Sequence, residues 1–593
     1  MQTSTKVFLV LLALILFLGA GALVIAKLGS GAGSSGGFSA SRSGNAVLHV
    51  DLQGAWPEQD PSPEMSALLG VQALTYGHLV QGLHAAAEDP DIAAIELEVG
   101  SLGLGWGRTW EVRQALLACK AAGKRIHVHL GQVQDGGYYL ASVADHVTMA
   151  RTSVLWLDGI RSEVPFYSAS LAKVGVVADL EQIGAYKNAA DSYTRADMTD
   201  AHRQATESLL DGLFTEMTEG IGESLGRDPA EIDALVSDGP YAAPRALEVG
   251  LVHQLAFADE ASELLDEALD AELARVDLED YVRSFGSSSG SHSIAVIHAV
   301  GTIVPGPSQR GLFGGSSLGS QTIAHAIEQA VDDGADAIVL RVDSPGGSPG
   351  ASDEIWRQLE LAQDDGVPVV VSMSDVAASG GYWVAMGADA IVAAPTTITG
   401  SIGIYGGKYV TSGFQEKIDM NVVPVQRGEN AGFFSGQDRF TDEQRGMLLN
   451  QLGTVYQLFL EKTAEGRGLA DADAVDRVAR GRVWTGKQAL DHQLIDILGG
   501  LDRAVEEAKN LASIDQDAPV RLPAYPRPPS LFEVLTDPQA RAAVAAEWHR
   551  GVARSVISEL PQAAIDGLDQ AQLLRLLESE SILAVMPYRI SAD

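Results

Sequence analysis

Ser379 stands where a serine nucleophile could work. It follows an apolar run, Val367 to Met373, that predicts a buried strand, and it precedes Gly380 and Gly381 at the start of a helix of small residues. At such a strand-to-helix corner a hydroxyl can face a substrate, while the Gly380 amide points toward developing negative charge. The alternative is that Ser379 only caps the helix, as serine often does.

A glycine-rich loop upstream could supply a further backbone donor. The segment from Arg341 to Gly350 predicts a strand that ends in Asp343-Ser344-Pro345-Gly346-Gly347. Glycine lets a substrate approach the backbone closely, so an amide of this loop could donate to an oxyanion. The loop lacks the Gly-x-x-x-x-Gly-Lys-Ser/Thr spacing of a phosphate-binding loop. A plain turn is the alternative.

A serine nucleophile needs a base to take its proton. Histidine is the usual base, but none of the following lies in a motif that would orient it beside Ser379: His253, His292, His298, His325 and His492. A Ser-His-Asp arrangement assembled in space stays an alternative.

Lysine is the other candidate base, and no lysine occurs between Lys187 and Lys408. Lys187 lies in Gly184-Ala185-Tyr186-Lys187-Asn188-Ala189-Ala190, a nearly apolar setting after the strand-like run Val176 to Ile183. Burial there would lower the pKa of the amine, and a free amine can act as a general base. An ordinary exposed lysine is the alternative.

The elements that must position these residues alternate between two patterns. In the second half of the chain, runs rich in valine and isoleucine alternate with segments of helical periodicity: Ile294 to Val304, Gln321 to Asp332, Ala337 to Val342, Ser352 to Gln363 and Val367 to Met373. The first half has strand-like runs at Ala46 to Leu52, Ile92 to Val99 and Arg125 to Leu130. This β-α-β order predicts parallel strands with crossover helices, hence an α/β fold.

The two halves also repeat one another in sequence. Gly136-Gly137-Tyr138-Tyr139-Leu140-Ala141 matches Gly380-Gly381-Tyr382-Trp383-Val384-Ala385 at an offset of 244 residues, and the same offset relates Gly159-Ile160 to Gly403-Ile404. An internal duplication explains the length of 593 residues. We therefore expect two similar α/β domains in tandem.

Changes of composition set the predicted domain boundaries. We predict a membrane anchor at 1–28, a Gly/Ser-rich linker at 29–45, a first domain at 46–283, a second linker at 284–293, a second domain at 294–512, and a proline-rich and helical tail at 513–593. The tail includes the helical stretch Gln570 to Glu578, and the sequence suggests no role for it.

The N-terminus predicts a transmembrane helix. Val7 to Ala26 is an uncharged, mostly aliphatic stretch between Lys6 and Lys27, long enough to cross a hydrocarbon core of about 30 Å. A cleaved signal peptide is the alternative, although its apolar region is shorter, about 7 to 15 residues. Because the short positive end stays on the cytoplasmic side, the rest of the chain is expected outside.

Charge and cysteine content argue against several classes of function. A formal net charge of -37 opposes binding to a phosphate backbone, so we expect no nucleic-acid partner. The single cysteine, Cys119, excludes an intrachain disulfide and a cysteine-based metal site. We expect neither a cofactor nor a metal.

Several motifs in one order give the chain a family resemblance. Ala378-Ser379-Gly380-Gly381-Tyr382 and Gly184-Ala185-Tyr186-Lys187-Asn188-Ala189 occur together with the loop Asp343 to Gly347, with Thr399-Gly400-Ser401-Ile402-Gly403 and with Gly481-Arg482-Val483-Trp484-Thr485-Gly486. Over residues 46 to 512 the chain resembles the long form of the signal peptide peptidase A family, also called protease IV. The resemblance implies two tandem crotonase-like, ClpP-like α/β superhelix domains.

The same resemblance implies roles for particular residues. Ser379 corresponds to the nucleophile, Lys187 to the general base and Ser401 to a residue that holds the lysine amine. The backbone amides of Gly380 and Gly346 correspond to the oxyanion donors.

The duplication agrees with this division of roles. Asp135 occupies the position of Ser379 in the first copy, and the position of Lys187 in the second copy falls in a lysine-free stretch near Glu429 to Ala431. Each copy lacks the residue that the other keeps. We therefore expect Lys187 to reach Ser379 across the contact between the halves.

The resemblance further implies a substrate, a location and an assembly. Substrates would be peptides, above all cleaved signal peptides, with misfolded exported proteins as a second class. The chain would sit in the bacterial inner membrane through residues 7–26, with its catalytic domains on the extracytoplasmic side, as a homo-oligomer, a tetramer by resemblance. A crotonase-type acyl-CoA hydratase or isomerase and an inactive membrane scaffold are the alternatives.

Overall fold

A computed structural model describes residues 46–60, 74–285, 290–310, 316–527 and 582–586. The predicted membrane segment Val7 to Ala26 and the helical stretch Gln570 to Glu578 lie outside these residues. Within the described ranges, no helix is both long and apolar enough to cross a membrane. The described residues from Ala46 onward belong to one compact unit.

The first half of the chain alternates strands and helices as its sequence pattern predicts. Its strands are β1 (Ala46–Ala55), β2 (Ile92–Gly103), β3 (Arg125–Leu130), β4 (Val133–Gln134), β5 (His146–Met149), β6 (Val154–Trp156), β7 (Val177–Ile183), β8 (Tyr241–Ala242), β9 (Gln254–Leu255) and β10 (Ala274–Asp277). Its helices are Tyr76–Glu88, Trp106–Ala121, Asp135–Ala141, Ser168–Val174, Asp191–Thr194, Asp200–Leu225, Pro229–Asp238, Ala243–Glu248, Ala258–Leu269 and Leu278–Arg283, with a 3-10 turn at Asn188–Ala190.

A parallel sheet is the core of this half. In the described residues its strand order is β10-β1-β2-β3-β5-β9, and each neighbouring pair is parallel. Parallel strands need crossover connections, and the helices that make them cover the sheet. Strand β2 accordingly consists mostly of buried residues rather than a strict alternation.

The second half repeats the arrangement. Its strands are β11 (His292–Val300), β12 (Thr302–Val304), β13 (Gln309–Arg310), β14 (Ser316–Gly319), β15 (Ala337–Ser344), β16 (Gly346–Gly347), β17 (Val369–Ala378), β18 (Ala390–Ala393), β19 (Ile398–Gly400), β20 (Ile404–Val410), β21 (Val483–Thr485), β22 (Ile497–Leu498), β23 (Val520–Arg521), β24 (Ala524–Tyr525) and β25 (Ile582–Val585). Its helices are Ser320–Asp332, Pro349–Asp364, Gly380–Trp383, Ser412–Lys417, Asp442–Gly466, Ala472–Asp476, Gly486–Asp491 and Leu501–Leu511.

The main sheet of the second half runs β21-β19-β17-β15-β11-β23 in the described residues, with β18, β22 and β24 attached beside it. Strands β11, β15 and β17 pair in parallel, and β21 closes one edge antiparallel to β19. The predicted α/β fold is therefore confirmed. The sheet extends past the predicted end at residue 512, because β23 and β24 of the proline-rich segment pair with β11. Proline is tolerated there because these strands lie at the sheet edge.

A third sheet joins the two halves. Its order is β13-β14-β12-β16-β25-β20-β7 in the described residues. Strand β7 comes from the first half, whereas β20 comes from the second, and the two pair antiparallel from Ile183 opposite Ile404 to Val177 opposite Val410. This pairing carries the segment after β7, which contains Lys187, into the second half.

Candidate active site

Ser379 occupies a sharp corner between β17 and the helix Gly380–Trp383. Its backbone has φ 58° and ψ -114°, a combination that non-glycine residues rarely adopt and that costs about 1–3 kcal/mol. The corner is fixed because the Ser379 amide donates to the Gly400 carbonyl at 2.8 Å and its own carbonyl accepts from the Trp383 amide at 2.9 Å. The side chain is fully buried.

Lys187 meets this serine from the other half of the chain. Its Nζ lies 2.6 Å from Ser379 Oγ, 3.0 Å from the Ser401 carbonyl oxygen and 3.1 Å from Ser401 Oγ. The lysine has no exposed surface, and this burial lowers its pKa well below the usual value of 10.5. A neutral amine in hydrogen-bond reach of the hydroxyl can accept its proton.

The loop that carries Lys187 crosses a loop of the second half in direct backbone contact. The Tyr186 amide donates to the Arg480 carbonyl at 2.8 Å. Gly481 has φ +79°, and a Cβ at this position would lie 2.4 Å from the Lys187 nitrogen. Gly184 has φ +108°, and a Cβ there would lie 2.5 Å from the carbonyl group of Arg480. Only glycine allows this crossing, which sets the backbone position of Lys187.

Ser401 is held by the same crossing. It also has a positive φ, 52°, and its amide donates to the Arg482 carbonyl at 2.7 Å. The Gly481 amide donates to the Ile402 carbonyl at 2.7 Å. The Gly481-Arg482 segment therefore fixes both Lys187 and the serine that contacts its amine.

The two predicted oxyanion donors differ in their present partners. Gly380 is the first residue of its helix, so its amide has no acceptor within the helix. Gly346 has φ +103°, and its amide donates to Ser344 Oγ at 3.1 Å. The Ser344 backbone packs against the serine corner, because a Cβ on Gly381 would lie 2.6 Å from the Ser344 carbonyl oxygen. An oxyanion would compete with the Ser344 hydroxyl for the hydrogen bond that the Gly346 amide donates.

The counterparts of these residues in the other copies of the repeat lie in different surroundings. Asp135, in the position of Ser379, is buried and accepts a hydrogen bond from the Gly159 amide at 3.0 Å. Burial raises the pKa of its carboxyl to about 6. The stretch Glu429 to Ala431, in the position of Lys187, is exposed. The structure thus brings Lys187, Ser379 and Ser401 together in a single site.

A buried ion cluster holds the two halves against each other. Arg341, in β15, contacts Glu111 at 2.8 Å and Glu58 at 3.0 Å, and all three side chains are buried. Burial alone would raise the pKa of Glu58, but the charges of Arg341 and Arg108 lower it to about 2. Burial raises the pKa of Glu111 to about 7. Both carboxylates come from the first half, so the cluster fixes the contact on which the site depends.

Sequence reasoning missed this cluster and the positioning role of Gly481. A signal existed for Arg341, since a charged residue inside a strand of buried aliphatic residues is rare unless it is paired. The Gly481-Arg482 motif is visible in the sequence, but nothing in it indicates that Lys187 is its neighbour in space. Such a contact depends on how two loops cross in space.

Comparison with known proteins identifies the family of this chain. Peptidase family S49 matches residues 118–272 and 361–515. The chain is 32% identical over 548 residues to the chloroplastic serine protease SPPA of Arabidopsis thaliana, covering 89% of this chain and 79% of the relative. It is 28% identical over 533 residues to protease 4 of Haemophilus influenzae, covering 86% and 85%.

Solved structures also resemble parts of the chain. A membrane protease specific for a stomatin homolog from Pyrococcus horikoshii is 16% identical, with a TM-score of 0.23, and the match covers 41% of this chain and 97% of that protein.

Proposed function

The chain belongs to peptidase family S49 and is a serine peptidase of the signal peptide peptidase type, and we propose that Ser379 is its nucleophile and Lys187 its general base. The observation that carries this assignment is the 2.6 Å contact between Lys187 Nζ and Ser379 Oγ. Both groups are fully buried, and the lowered lysine pKa makes the neutral amine available at a lower pH than in an exposed lysine.

The reaction would proceed by acyl transfer. The Lys187 amine takes the proton of Ser379 as Oγ attacks the carbonyl carbon of a peptide bond, and the amides of Gly380 and Gly346 stabilise the resulting oxyanion. The lysinium then protonates the leaving amine, which departs from an acyl-enzyme. The Lys187 amine, now neutral, takes a proton from water as the water oxygen attacks the ester carbonyl, and the lysinium returns this proton to Ser379 Oγ as the acyl product departs.

Ser401 would orient the base. Its hydroxyl and carbonyl both contact Lys187 Nζ, so the amine has two fixed partners besides Ser379. Those partners aim the remaining lone pair or proton of the amine at the nucleophile. Positioning of this kind contributes through geometry rather than through a proton of its own.

We propose that the substrates are cleaved signal peptides and other exported polypeptides at a membrane surface. The supporting feature is the apolar segment Val7 to Ala26, which would anchor the chain in a bacterial inner membrane with the catalytic domains on the extracytoplasmic side. The finer fold proposed for each half is the crotonase-like, ClpP-like superhelix that the sequence motifs imply.

We also propose a homo-oligomer, a tetramer by family resemblance, closed by a strand pairing that repeats the contact between the halves. Strand β7 pairs with β20 within the chain. At the offset of 244 residues their counterparts are 421–427 and 160–166. In the described chain neither counterpart is assigned to a strand, and Val423 and Val425 are 74% and 85% exposed.

Residues 421–427 of one copy would pair antiparallel with 160–166 of the next. The register of β7 and β20 would place Pro424 opposite Glu163 and Pro165 opposite Val422. Residue pairs along an antiparallel ladder alternate between hydrogen-bonded and non-hydrogen-bonded pairs. The two prolines fall in pairs of the same class, so one choice of alternation places both in non-hydrogen-bonded pairs. Such a head-to-tail contact closes into a ring when the rotation permits.

Light scattering of the purified chain in detergent tests this assembly. We expect the double variant Val423→Asp, Val425→Asp to have a smaller mass than the wild type, because charge would be placed in the seam. The matched control is Phe257→Asp, which changes an apolar residue of comparable exposure elsewhere and should keep the wild-type mass. A monomeric wild type would rule out the ring.

Labelling with a fluorophosphonate serine probe tests the nucleophile. We expect the wild type to label and to cleave peptides, and Ser379→Ala to do neither. A wild type that never labels and cleaves no peptide would favour an inactive scaffold, or the acyl-CoA chemistry of a crotonase-type enzyme.

The pH profile of kcat/KM tests the base. Activity needs the neutral form of Lys187, so it should rise with pH as the amine loses its proton, in a range below the usual lysine pKa because burial lowers that pKa. The rise should move to a different pH in Ser401→Ala, which alters the contacts of the amine. A profile governed by an unperturbed group near pH 6.5 in both proteins would point to histidine instead.

A further inference from the structure

The side chain of Arg482 lies over two aromatic rings. Its guanidinium carbon is 5.2 Å from the centre of the Tyr186 ring and 4.2 Å from the centre of the Trp484 ring. A guanidinium group is planar and weakly hydrated, so it packs well on the faces of aromatic rings. Within the ranges that the structure describes, its buried Nε atom has no hydrogen-bond partner. The two rings therefore supply the main packing of this cation.

One of the rings, that of Trp484, is tied to the nucleophile. Trp484 lies opposite Thr399 in the ladder of β21 and β19. A Cβ on Gly400 would lie 2.9 Å from Trp484 Cδ1, so the indole packs directly on Gly400. The Gly400 carbonyl accepts the hydrogen bond of the Ser379 amide at 2.8 Å. The position of the indole is thus coupled to that of the serine corner.

The Trp484 ring is itself held firmly. It is only 7% exposed, and it belongs to the hydrophobic cluster of the second half. Its Nε1 donates to the Val478 carbonyl at 2.9 Å, and its ring contacts the ring of His492 at 4.2 Å between centroids. The indole therefore offers a fixed surface to the guanidinium.

The other ring, that of Tyr186, is tied to the base. Tyr186 directly precedes Lys187, and its carbonyl accepts from the Asn188 amide at 2.9 Å. Its ring packs against the hydrophobic cluster that the first half mainly builds, and its hydroxyl donates to Gln204 Oε1 at 2.9 Å. A movement of this ring would therefore move the backbone of Lys187.

Arg482 connects these two anchored rings across the contact between the halves. Its backbone already holds Ser401, because its carbonyl accepts the Ser401 amide at 2.7 Å. We propose that the Arg482 side chain is a positioning residue of the reaction: packed on the Trp484 ring, its guanidinium holds Tyr186, and with it the Lys187 loop, at the distance from which the amine reaches Ser379. This inference rests on the function proposed above.

Steady-state cleavage of a peptide by Arg482→Met tests the role. Methionine keeps an unbranched, flexible side chain but removes the planar cation. A displacement of about 1 Å at a reacting group costs about 10²-fold in rate, so kcat should fall about 10²-fold while KM stays within about three-fold. The matched control is Arg477→Met, an exposed arginine nearby in the chain, which should stay within about two-fold of wild type. Equal kcat values in the two variants would overturn the proposal.

The pH profile of kcat/KM distinguishes positioning from a general loss of stability. Burial holds the pKa of Lys187 well below 10.5. When the loop is no longer held, water reaches the amine and its pKa rises toward the usual value, so the rise of activity should move to higher pH in Arg482→Met. Arg482→Lys keeps the charge without the planar group, and it should show the same displacement. A lowered kcat with the wild-type profile would contradict the proposal.

A double-mutant cycle with Tyr186 covers the case in which Arg482→Met disturbs the fold. Tyr186→Leu removes the ring from the other side of the contact, so it should lower kcat by a similar factor and shift the profile in the same direction. The double variant should lose little beyond either single variant, because both remove one contact. Full multiplication of the two losses would show that Arg482 does not act through Tyr186, and an unchanged kcat in Tyr186→Leu would be equally contrary.

Labelling of Ser379 with a fluorophosphonate probe separates this proposal from the proposed function. The wild type should label rapidly, and Arg482→Met should label about 10²-fold more slowly, because the same base activates the serine toward the probe. Labelling of both proteins at one rate rejects only the positioning role of Arg482. A wild type that never labels rejects the peptidase site itself.

Discussion

The corner at Asp135 and the corner at Ser379 are related by duplication, yet their backbones differ. Asp135 is the first residue of a helix that runs to Ala141, and Gln134 before it is extended, with φ -105°. Ser379 stands before its helix with φ 58°. The carboxyl of Asp135 accepts a hydrogen bond from the Gly159 amide, whereas the Ser379 hydroxyl contacts the Lys187 amine.

This difference shows what the reactive corner adds to the common fold. The strand, the turn and the glycine pair that follow are present in both copies. The strained backbone and the buried amine occur together at Ser379. Strain persists only where surrounding contacts impose it, and here those contacts come from Gly400 and Trp383.

The largest effect should come from removing either member of the reactive pair. Ser379→Ala and Lys187→Met should each lower kcat/KM by about 10⁴-fold or more, because nucleophile and base act as a unit. Asp135→Asn, the matched change at the related corner, should stay within about two-fold of wild type, since Asn can still accept the Gly159 hydrogen bond. Steady-state cleavage of a peptide checks all three. Comparable losses of kcat/KM in Asp135→Asn and Ser379→Ala would mean that the two corners do not differ in function.

A stability measurement tests whether Lys187→Met loses activity because it unfolds. The folded-state pKa of Lys187 is lowered, so the unfolded chain binds the additional proton and the amine destabilises the fold increasingly as pH falls below about 10.4. Lys187→Met removes that cost. It should melt above wild type, with a wider gap at pH 6 than at pH 9.

The next largest effect should come from separating the halves that bring the reactive pair together. Arg341→Leu leaves Glu58 and Glu111 buried without the arginine that contacts both of them, which should lower the free energy of unfolding by about 3–5 kcal/mol. Arg357→Leu removes an exposed arginine that pairs with Glu360, and it should cost less than about 1 kcal/mol. Denaturant titration measures both. A similar small loss in the two variants would mean that the buried cluster does not hold the halves.

Sequence pattern recovered the alternating elements because burial and periodicity are local signals. The predicted strand Arg125 to Leu130 matches β3, and the predicted helix Gln321 to Asp332 differs from Ser320–Asp332 by one residue. The predicted strand Val367 to Met373 falls short, since β17 continues through mixed residues to Ala378. Pairing with β19 holds that extension in the sheet, and such a tertiary contact leaves no periodicity.

The candidate site was predicted less evenly. The duplication, with Asp135 and Ser379 in equivalent positions, indicated that Lys187 and Ser379 must meet, because each copy lacks one of them. It gave no sign of the positive φ at Ser379 and Ser401, of the backbone crossing at Gly481 or of the position of β25 between β16 and β20. Those features depend on atoms that are far apart in sequence. The strand β25 has only four residues, too few for its sequence pattern to predict it.

The smallest effect should come from the residue that only orients the base. Ser401→Ala removes one contact of the Lys187 amine, while the Ser401 backbone carbonyl keeps its own. Loss of a single hydrogen bond of about 1 kcal/mol corresponds to a drop of roughly five- to ten-fold in kcat. Ser401→Thr retains a hydroxyl and should recover part of the rate. An unchanged rate in Ser401→Ala would mean that the Ser401 backbone carbonyl alone orients the Lys187 amine.

The crossing of the Lys187 loop with the second half has a consequence for biosynthesis. Lys187 leaves the ribosome 192 residues before Ser379, an interval of roughly 10–40 s at 5–20 residues per second. During that time the nascent chain carries a base with no nucleophile to activate. Proteolytic competence is thus timed by translation, and the polypeptide cannot attack its neighbours, or itself, until the second half has been made.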